Sequence, residues 1–454
     1  MPNNFAYLTL LVWPIVSIVL YNKYPVITAT FWTIIGGYLL LPVGVEFDFP
    51  LIPPLDKKSI PAIMAFIGCR YIANKKVTFV PPPGIERKLI ILLFIGSMVT
   101  VATNGDPVVE PNRYIPGLSF HDTLSTILSH WLMLIPFILG MQIIKTHQDQ
   151  LQLLRLLVIA GLWYSVLIIF EIRMSPQLHT WLYGFFPHSW GQQIRYGGFR
   201  PVVFLGHGLW VSIFIFMMLS SIVSIAILKQ KLFRFPDKLI IIYFLVLLLL
   251  AKGVGSILLG MSFVLAMIFL KDGMIIKGSQ LIAIVAISYP LLCIADFFPH
   301  GHLLGLIESI DSSRAESLRY RFDHESALLD RASQKLLFGW GGWDRNRLED
   351  SVTDGYWVIL VGKFGLVGFA AIFGLMFSSV TRIKGISSAI KSKSETKYMA
   401  GISLTMALLM IDQIPNASIS PIIWLLIGAQ VGRAKGVASN SNGYKSPPII
   451  QAIK

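Results

Sequence analysis

The chain has 454 residues, 54% of them hydrophobic and only 14% charged, with a mean hydropathy of +0.67 and a formal net charge of +14. Soluble domains carry roughly 25% charged residues, so this composition excludes a water-soluble globular protein and points to one embedded in a lipid bilayer. The surplus cations are scattered over short loops between apolar runs, the pattern of cytoplasmic anchoring, which argues against a nucleic-acid partner.

Hydrocarbon tolerates only structures that close their own backbone hydrogen bonds, and about 20 apolar residues cross it as a helix. The runs here are long and unbroken rather than alternating, which selects an all-α polytopic protein over a β-barrel. They fall near residues 5–21, 25–43, 59–73, 88–102, 121–144, 151–172, 201–228, 238–251, 254–270, 278–296, 353–380, 397–413 and 419–432. The start, "MPNNFAYLTLLVW", has no basic leader and reads as a retained first helix. The third run is short and interrupted by Arg70, so the count is twelve or thirteen. Cys69 and Cys293 both lie in apolar runs and imply no disulfide framework. The organisation is an N-terminal transmembrane bundle over residues 1–296, a large loop over 297–352, and C-terminal helices with a tail over 353–454.

Lysine and arginine bias sets orientation. The segment after Val380 carries Arg382, Lys384, Lys391, Lys393 and Lys397; the one after Leu228 carries Lys229, Lys231, Arg234 and Lys238. Both are expected to be cytoplasmic, with the C-terminal tail. Residues 103–120, 173–200, 297–352 and the turn at Lys252 then fall outside. In the 297–352 loop, Ser313 and Glu316 form a capping box. Leu318, Phe322, Leu329, Ala332 and Leu336 recur at three and four, predicting an amphipathic helix over the external mouth, ended by Gly339, Gly341 and Gly342.

Setting aside the anchoring charges, the remaining polar residues crowd that external face. Arg195 and Arg200 precede a helix that carries His207 about two turns in. Lys252 separates two apolar runs, and Arg314, Arg319, Arg321 and His324 lie in the loop. Trp340, Trp343, Asp344, Arg345 and Arg347 follow, then Asp354 and Tyr356 at the mouth of the next span. Cations focused beside a low-dielectric surface suit a polyanion such as a diphosphate. Trp340, Trp343, Arg345 and Tyr356 offer contacts for glycan. No compact cluster to bind a divalent metal is visible, so neither metal nor cofactor is expected. Each residue also has a structural reading: Arg195 and Arg200 as interfacial anchors, Lys252 as a snorkelling turn residue, and His207 as a packing residue. The tryptophans fit an interfacial belt, Lys363 a paired structural lysine, and Asp354 a helix cap shared with Thr353.

The order of these pieces resembles the O-antigen ligase and polymerase superfamily of bacterial membrane glycosyltransferases. The matching pieces are "RYGGFRPVVFLGHG", "AKGVGS", "YRFDHESALLDRASQKLLFGWG" and "TDGYWVILVGKFGLVGF", over roughly residues 195–370. Lys252 stands where the family has an arginine, and Asp354 where the ligases have a histidine, which brings the chain closer to the polysaccharide polymerase branches. The resemblance implies metal-independent transfer of glycan from an undecaprenyl diphosphate carrier to an acceptor sugar hydroxyl. This occurs at the periplasmic face of the bacterial inner membrane. Arg200, Lys252 and Arg321, supported by Arg195, would hold the diphosphate. Asp354 would be the base, with His324 and His207 as alternatives. The implied partners are the lipid-linked oligosaccharide, the acceptor glycan, the bilayer and a chain-length regulator. Ligase-type transfer of finished glycan to a lipid or protein is the competing enzyme reading. A polysaccharide transporter or flippase, with its site near the midplane between repeats, is the competing class.

Overall fold

The computed structural model describes residues 1–443 except 50–51, 196, 231–233, 310–311, 349–350, 352–353 and 391, and leaves aside the side chains at 313, 314, 317 and 440–443. Thr353, Lys231, Lys391 and the side chains of Ser313 and Arg314 therefore lie outside the described residues.

The apolar runs fold as helix over most of their length. Helix α1 (Asn4–Lys23) is followed by α2 (Val26–Phe31), which passes through a π-helical turn into α3 (Gly37–Leu40). Then come α4 (Ser59–Ile67, extended by a π turn to Ile72), α5 (Ile85–Ala102), α6 (Phe120–Ile143) and α7 (His147–Met174). The short α8 (Leu178–Tyr183) precedes α9 (Gly208–Ala226), α10 (Asp237–Leu250), α11 (Val254–Phe269) and α12 (Asp272–Ile294). Helices α13 (His300–Glu308) and α14 (Ser312–Ser333) form the loop segment, and α15 (Tyr356–Ile386), α16 (Lys393–Asp412) and α17 (Pro421–Gly443) complete the bundle. The only sheet among the described residues is two small hairpins, β1–β2 (Val108–Glu110 with Arg113–Ile115) and β3–β4 (Ile194–Arg195 with Gly198–Phe199). Six of the helices, including α1, α6, α7, α9, α12 and α15, are long and apolar enough to cross a membrane.

The connections sort the helix ends onto two faces. On one, Asn3 N–H donates to Tyr183 O, Leu118 N–H to Asn104 O, and Tyr356 N–H to Gln413 O and Asn416 O. Lys57 Nζ donates to Phe204 O at 2.6 Å on this face as well. On the other, Thr78 N–H donates to the Gln142 side chain, and Glu86 pairs with Arg382 and Lys435. The described residues of 103–119, 175–207, the Lys252 turn and 297–351 thus share one face. Helices α6 and α17 pack backbone against backbone. A Cβ added at Gly428, Gly432 or Gly436 would lie 2.2–2.5 Å from the carbonyl oxygens of Phe137, Ile144 and Lys145, the close approach that small residues four apart allow in membranes.

The loop helix differs in detail from the sequence reading. Ala315, Phe322, Leu328 and Ala332 are buried among its described side chains, but α14 ends at Ser333, well before the glycines. Instead, Gly339 and Gly341 bring the chain into a break in α15. At Gly365 the backbone leaves helical geometry, with φ 63 and ψ −167. The freed carbonyls of Gly362 and Lys363 accept from Trp340 and Gly341 N–H at 2.9 and 2.8 Å. The N–H groups of Leu366 and Val367 donate to Leu336 O and Leu337 O at 2.9 and 3.2 Å. Broken helices persist in membrane proteins only where other protein groups satisfy the freed backbone, and residues 336–341 do so here. Lys363 is therefore one residue from the break's edge, half-buried, rather than deep in an intact helix.

Candidate functional site

Two polar clusters lie on the face that carries the loop segment. The first is built on the β3–β4 hairpin. Gly197, with φ 66, makes its turn, and the hairpin is stitched to the head of α9 through Gln193. The Gln193 carbonyl accepts from Arg200 N–H at 2.8 Å, and its side-chain Oε1 accepts from Gly208 N–H at 3.2 Å. Arg200 is nearly buried, at 8% exposure, and lies close enough to Gly208 that an added Cβ would sit 3.1 Å from its Nε. Lys252, in a left-handed turn at φ 56, donates from Nζ to Arg195 O at 2.9 Å. A Cβ at Gly198 would come within 2.4 Å of that nitrogen, so the glycine is what lets the lysine lie across the hairpin. Arg195, Arg200 and Lys252 are thus one cationic group.

His207 belongs to this group but not as the sequence suggests. It is the N-cap of α9, and its Nδ1 accepts from Leu209 N–H at 3.0 Å. Burial, followed by the neighbouring Arg200, His188 and Arg195, holds its imidazole down at about 4. The ring is neutral near pH 7 with its proton on Nε2. The run "RPVVFLG" is apolar but not helical, because Pro201 and Gly206 break it and Glu171 takes the N–H groups of Val202 and Val203 at 2.7 Å each.

The second cluster is a cleft of about 260 Å³ between α14 and the head of α15. Arg321, His324 and Glu325 line it from α14, Asp354 and Gly355 from the head of α15, and Ile414 and Pro415 from the segment after α16. Arg321 Nε lies 3.8 Å from Asp354 Oδ2, with both side chains about half exposed. An exposed pair of this kind is worth at most about 1 kcal/mol, so an incoming anion can replace the carboxylate. Burial pushes Glu325 up to about 7, and Tyr289 hydroxyl donates to its Oε1 at 2.8 Å. The capping reading of Asp354 is corrected. Gly355 is the N-cap of α15, and the first helical N–H, that of Tyr356, goes to Gln413 and Asn416 carbonyls at 3.1 Å each.

The segment after α16 joins the cleft to the head of α9. Ile414 and Pro415 wall the cleft, while Ala417 O accepts from Trp210 Nε1 in the first turn of α9 at 3.3 Å. Three of the residues expected to contact glycan serve other ends. The Trp340 ring is covered by the Arg331 guanidinium at 3.8 Å and by Lys335 Nζ at 4.7 Å, and its Nε1 donates to Arg331 O. Arg345 is 1% exposed, and its guanidinium donates to the carbonyls of Trp340, Pro116, Asn104 and Asp106. It latches the loop onto residues 104–116. Tyr356 is half-buried, packed against the core in the first turn of α15. Trp343 remains exposed, at 51%.

Glu325 was missed by the sequence reading, although it lies four residues after Arg321 and so on the same helix face. Cys293, His300 and Glu325 also come together, from α12, α13 and α14, with ligand atoms within 4.8 Å of one another. No known family model matches the chain, and neither does any curated protein.

Proposed function

We propose that the protein is a membrane glycosyltransferase that polymerises lipid-linked oligosaccharide repeats. It would transfer glycan from an undecaprenyl diphosphate carrier to an acceptor sugar hydroxyl at the periplasmic face of a bacterial inner membrane. The observation that carries the reading is a cationic group of Arg195, Arg200 and Lys252 on the same face of the bundle as the Arg321–Asp354 cleft. Cleaving a glycosyl–diphosphate bond develops negative charge on the leaving group. Cations fixed before reaction stabilise that charge more than the ground state. In this reading Arg200, Lys252 and Arg321 receive the diphosphate, and Arg321 exchanges its weak pairing with Asp354 for it. The released carboxylate then takes the acceptor's proton. His324, on the same cleft wall, is the alternative base. His207, whose Nδ1 is committed to the α9 cap, acts by position only.

The break in α15 is a trait shared with transporters, but the backbone of residues 336–341 fills it, which favours the enzyme. Arg200→Ala, Lys252→Ala and Arg321→Ala should each abolish polymer in cells at unchanged protein level, and Asp354→Asn should do the same. Normal polymer from any two of the three cation variants would overturn the diphosphate site. Deletion should leave single repeat units on the carrier; long free carrier-linked polymer would instead mark a ligase.

A further inference from the structure

Helices α13 and α14 meet the end of α12 through a few side chains, and α13 has no buried residue. Apolar packing gives it little hold. What does approach α12 is His300, the first residue of α13, whose Nε2 lies 3.9 Å from Cys293 Sγ. Glu325 reaches the same point from α14, and all three ligand atoms lie within 4.8 Å of one another. We infer that Cys293, His300 and Glu325 form a zinc site that pins α13 and α14 to the end of α12.

The chemistry of the set fits. Thiolate, imidazole and carboxylate together are the donors zinc accepts, and the two anions balance its charge. Bonds of about 2.3 Å to sulfur and 2.0–2.1 Å to nitrogen at tetrahedral angles place S and N roughly 3.6 Å apart, close to the observed spacing. The Cys293 side chain is buried, at 8% exposure. The His300 ring is held edge-on between Phe298 at 4.8 Å and Phe322 at 4.5 Å, so its orientation is fixed by packing. Tyr289 donates to Glu325 Oε1 at 2.8 Å, the outer-shell hydrogen bond that orients a ligating carboxylate. Zinc would replace the protons of the thiol and carboxyl and leave a fourth position for water. The role is structural and goes beyond the transferase reading.

The test uses the full chain in detergent, stripped with a chelator and dialysed against Zn²⁺ or Co²⁺. One equivalent of zinc should bind. The cobalt form should show a thiolate-to-metal charge-transfer band in the near ultraviolet. The chain has two cysteines, and Cys69 is buried in contact with Tyr21 and Thr30. Cys293→Ser should therefore remove the band and Cys69→Ser keep it. His300→Ala and Glu325→Gln should each weaken zinc binding at least tenfold, and Tyr289→Phe by roughly 10–100-fold. If Cys293→Ser is not monodisperse, His300→Ala carries the same test through its affinity. Failure of the wild type to retain an equivalent of metal, or a band that survives Cys293→Ser, would overturn the site. Both readouts are independent of glycan synthesis, so this inference and the transferase reading fail separately.

Discussion

A histidine at a helix N-cap carries a pH liability that serine or asparagine does not. His207 Nδ1 accepts from Leu209 N–H only while the ring is neutral. Burial, with Arg200, His188 and Arg195 adding to it, holds its folded value at about 4 against an ordinary 6.5. A depressed value means that the folded state binds fewer protons than the unfolded one. The stability from this cap is therefore intact above about 6.5 and lost as pH falls from there towards 4. His207→Asn supplies a cap that does not protonate in this range. The drop in thermal stability between pH 7 and pH 4.5, measured in detergent, should be smaller in His207→Asn than in the wild type. His179, also held down at about 4 by burial, is common to both proteins and cancels. An identical pH slope in the two would refute the cap assignment.

At the scale of elements, the junction of α15 with residues 336–341 decides how the loop is seated. Four backbone hydrogen bonds cross it, and two glycines allow the approach. A Cβ at Gly365 would stand 2.2 Å from Leu337 carbonyl atoms, and one at Gly339 2.4 Å from the Lys363 carbonyl carbon. Gly365→Ala must also hold a φ of 63, a conformation that costs an L-residue roughly 1–3 kcal/mol even without the clash. It should abolish recovery of monodisperse protein. Gly385→Ala in the same helix, where an added Cβ meets nothing within 4 Å, should be neutral or slightly stabilising. Equal yields for the two variants would contradict the junction.

The helices and their common face were legible in the sequence because apolar length and cation bias are local properties. The break was not, because glycine is ordinary in membrane helices and nothing near Gly365 reveals that residues 336–341 will meet it. The "IGAQVGRAKG" stripe packed on α6 went unread for the same reason. Arg321, His324 and Asp354 stand out in the sequence because charge near a bilayer is conspicuous, and they line one cleft. Trp340 and Arg345 misled because the chain does not say that Arg331 will cover one and that backbone carbonyls will hold the other. Cys293, His300 and Glu325 are separated by up to a full helix and meet only through tertiary structure.

The whole molecule divides its polar groups by face. The Arg321–Asp354 pair at the cleft is loose and half-exposed, while the pair with a fully buried carboxylate lies at the far end. There, fully buried Glu86 of α5 pairs with Arg382 of α15 and, at 3.0 Å, with Lys435 of α17. Glu395 of α16 pairs with Arg433 of α17. These contacts clamp the helices whose other ends carry the cleft, so the rigid end supports the adaptable one. Removing one member of a fully buried pair costs roughly 3–5 kcal/mol. Arg382 and Lys435 are 30% and 28% exposed, so solvent screening reduces that range and Glu86→Gln should cost about 1–3 kcal/mol. Its unfolding temperature in detergent should fall by several degrees. Adding Arg382→Gln should then lower it by less than Arg382→Gln does alone, because the two groups share one interaction. Strictly additive losses would show that Glu86 and Arg382 act independently and that the clamp does not exist as drawn. Polymer made per molecule of folded Glu86→Gln protein should match the wild type, since the clamp sits on the face opposite the cleft.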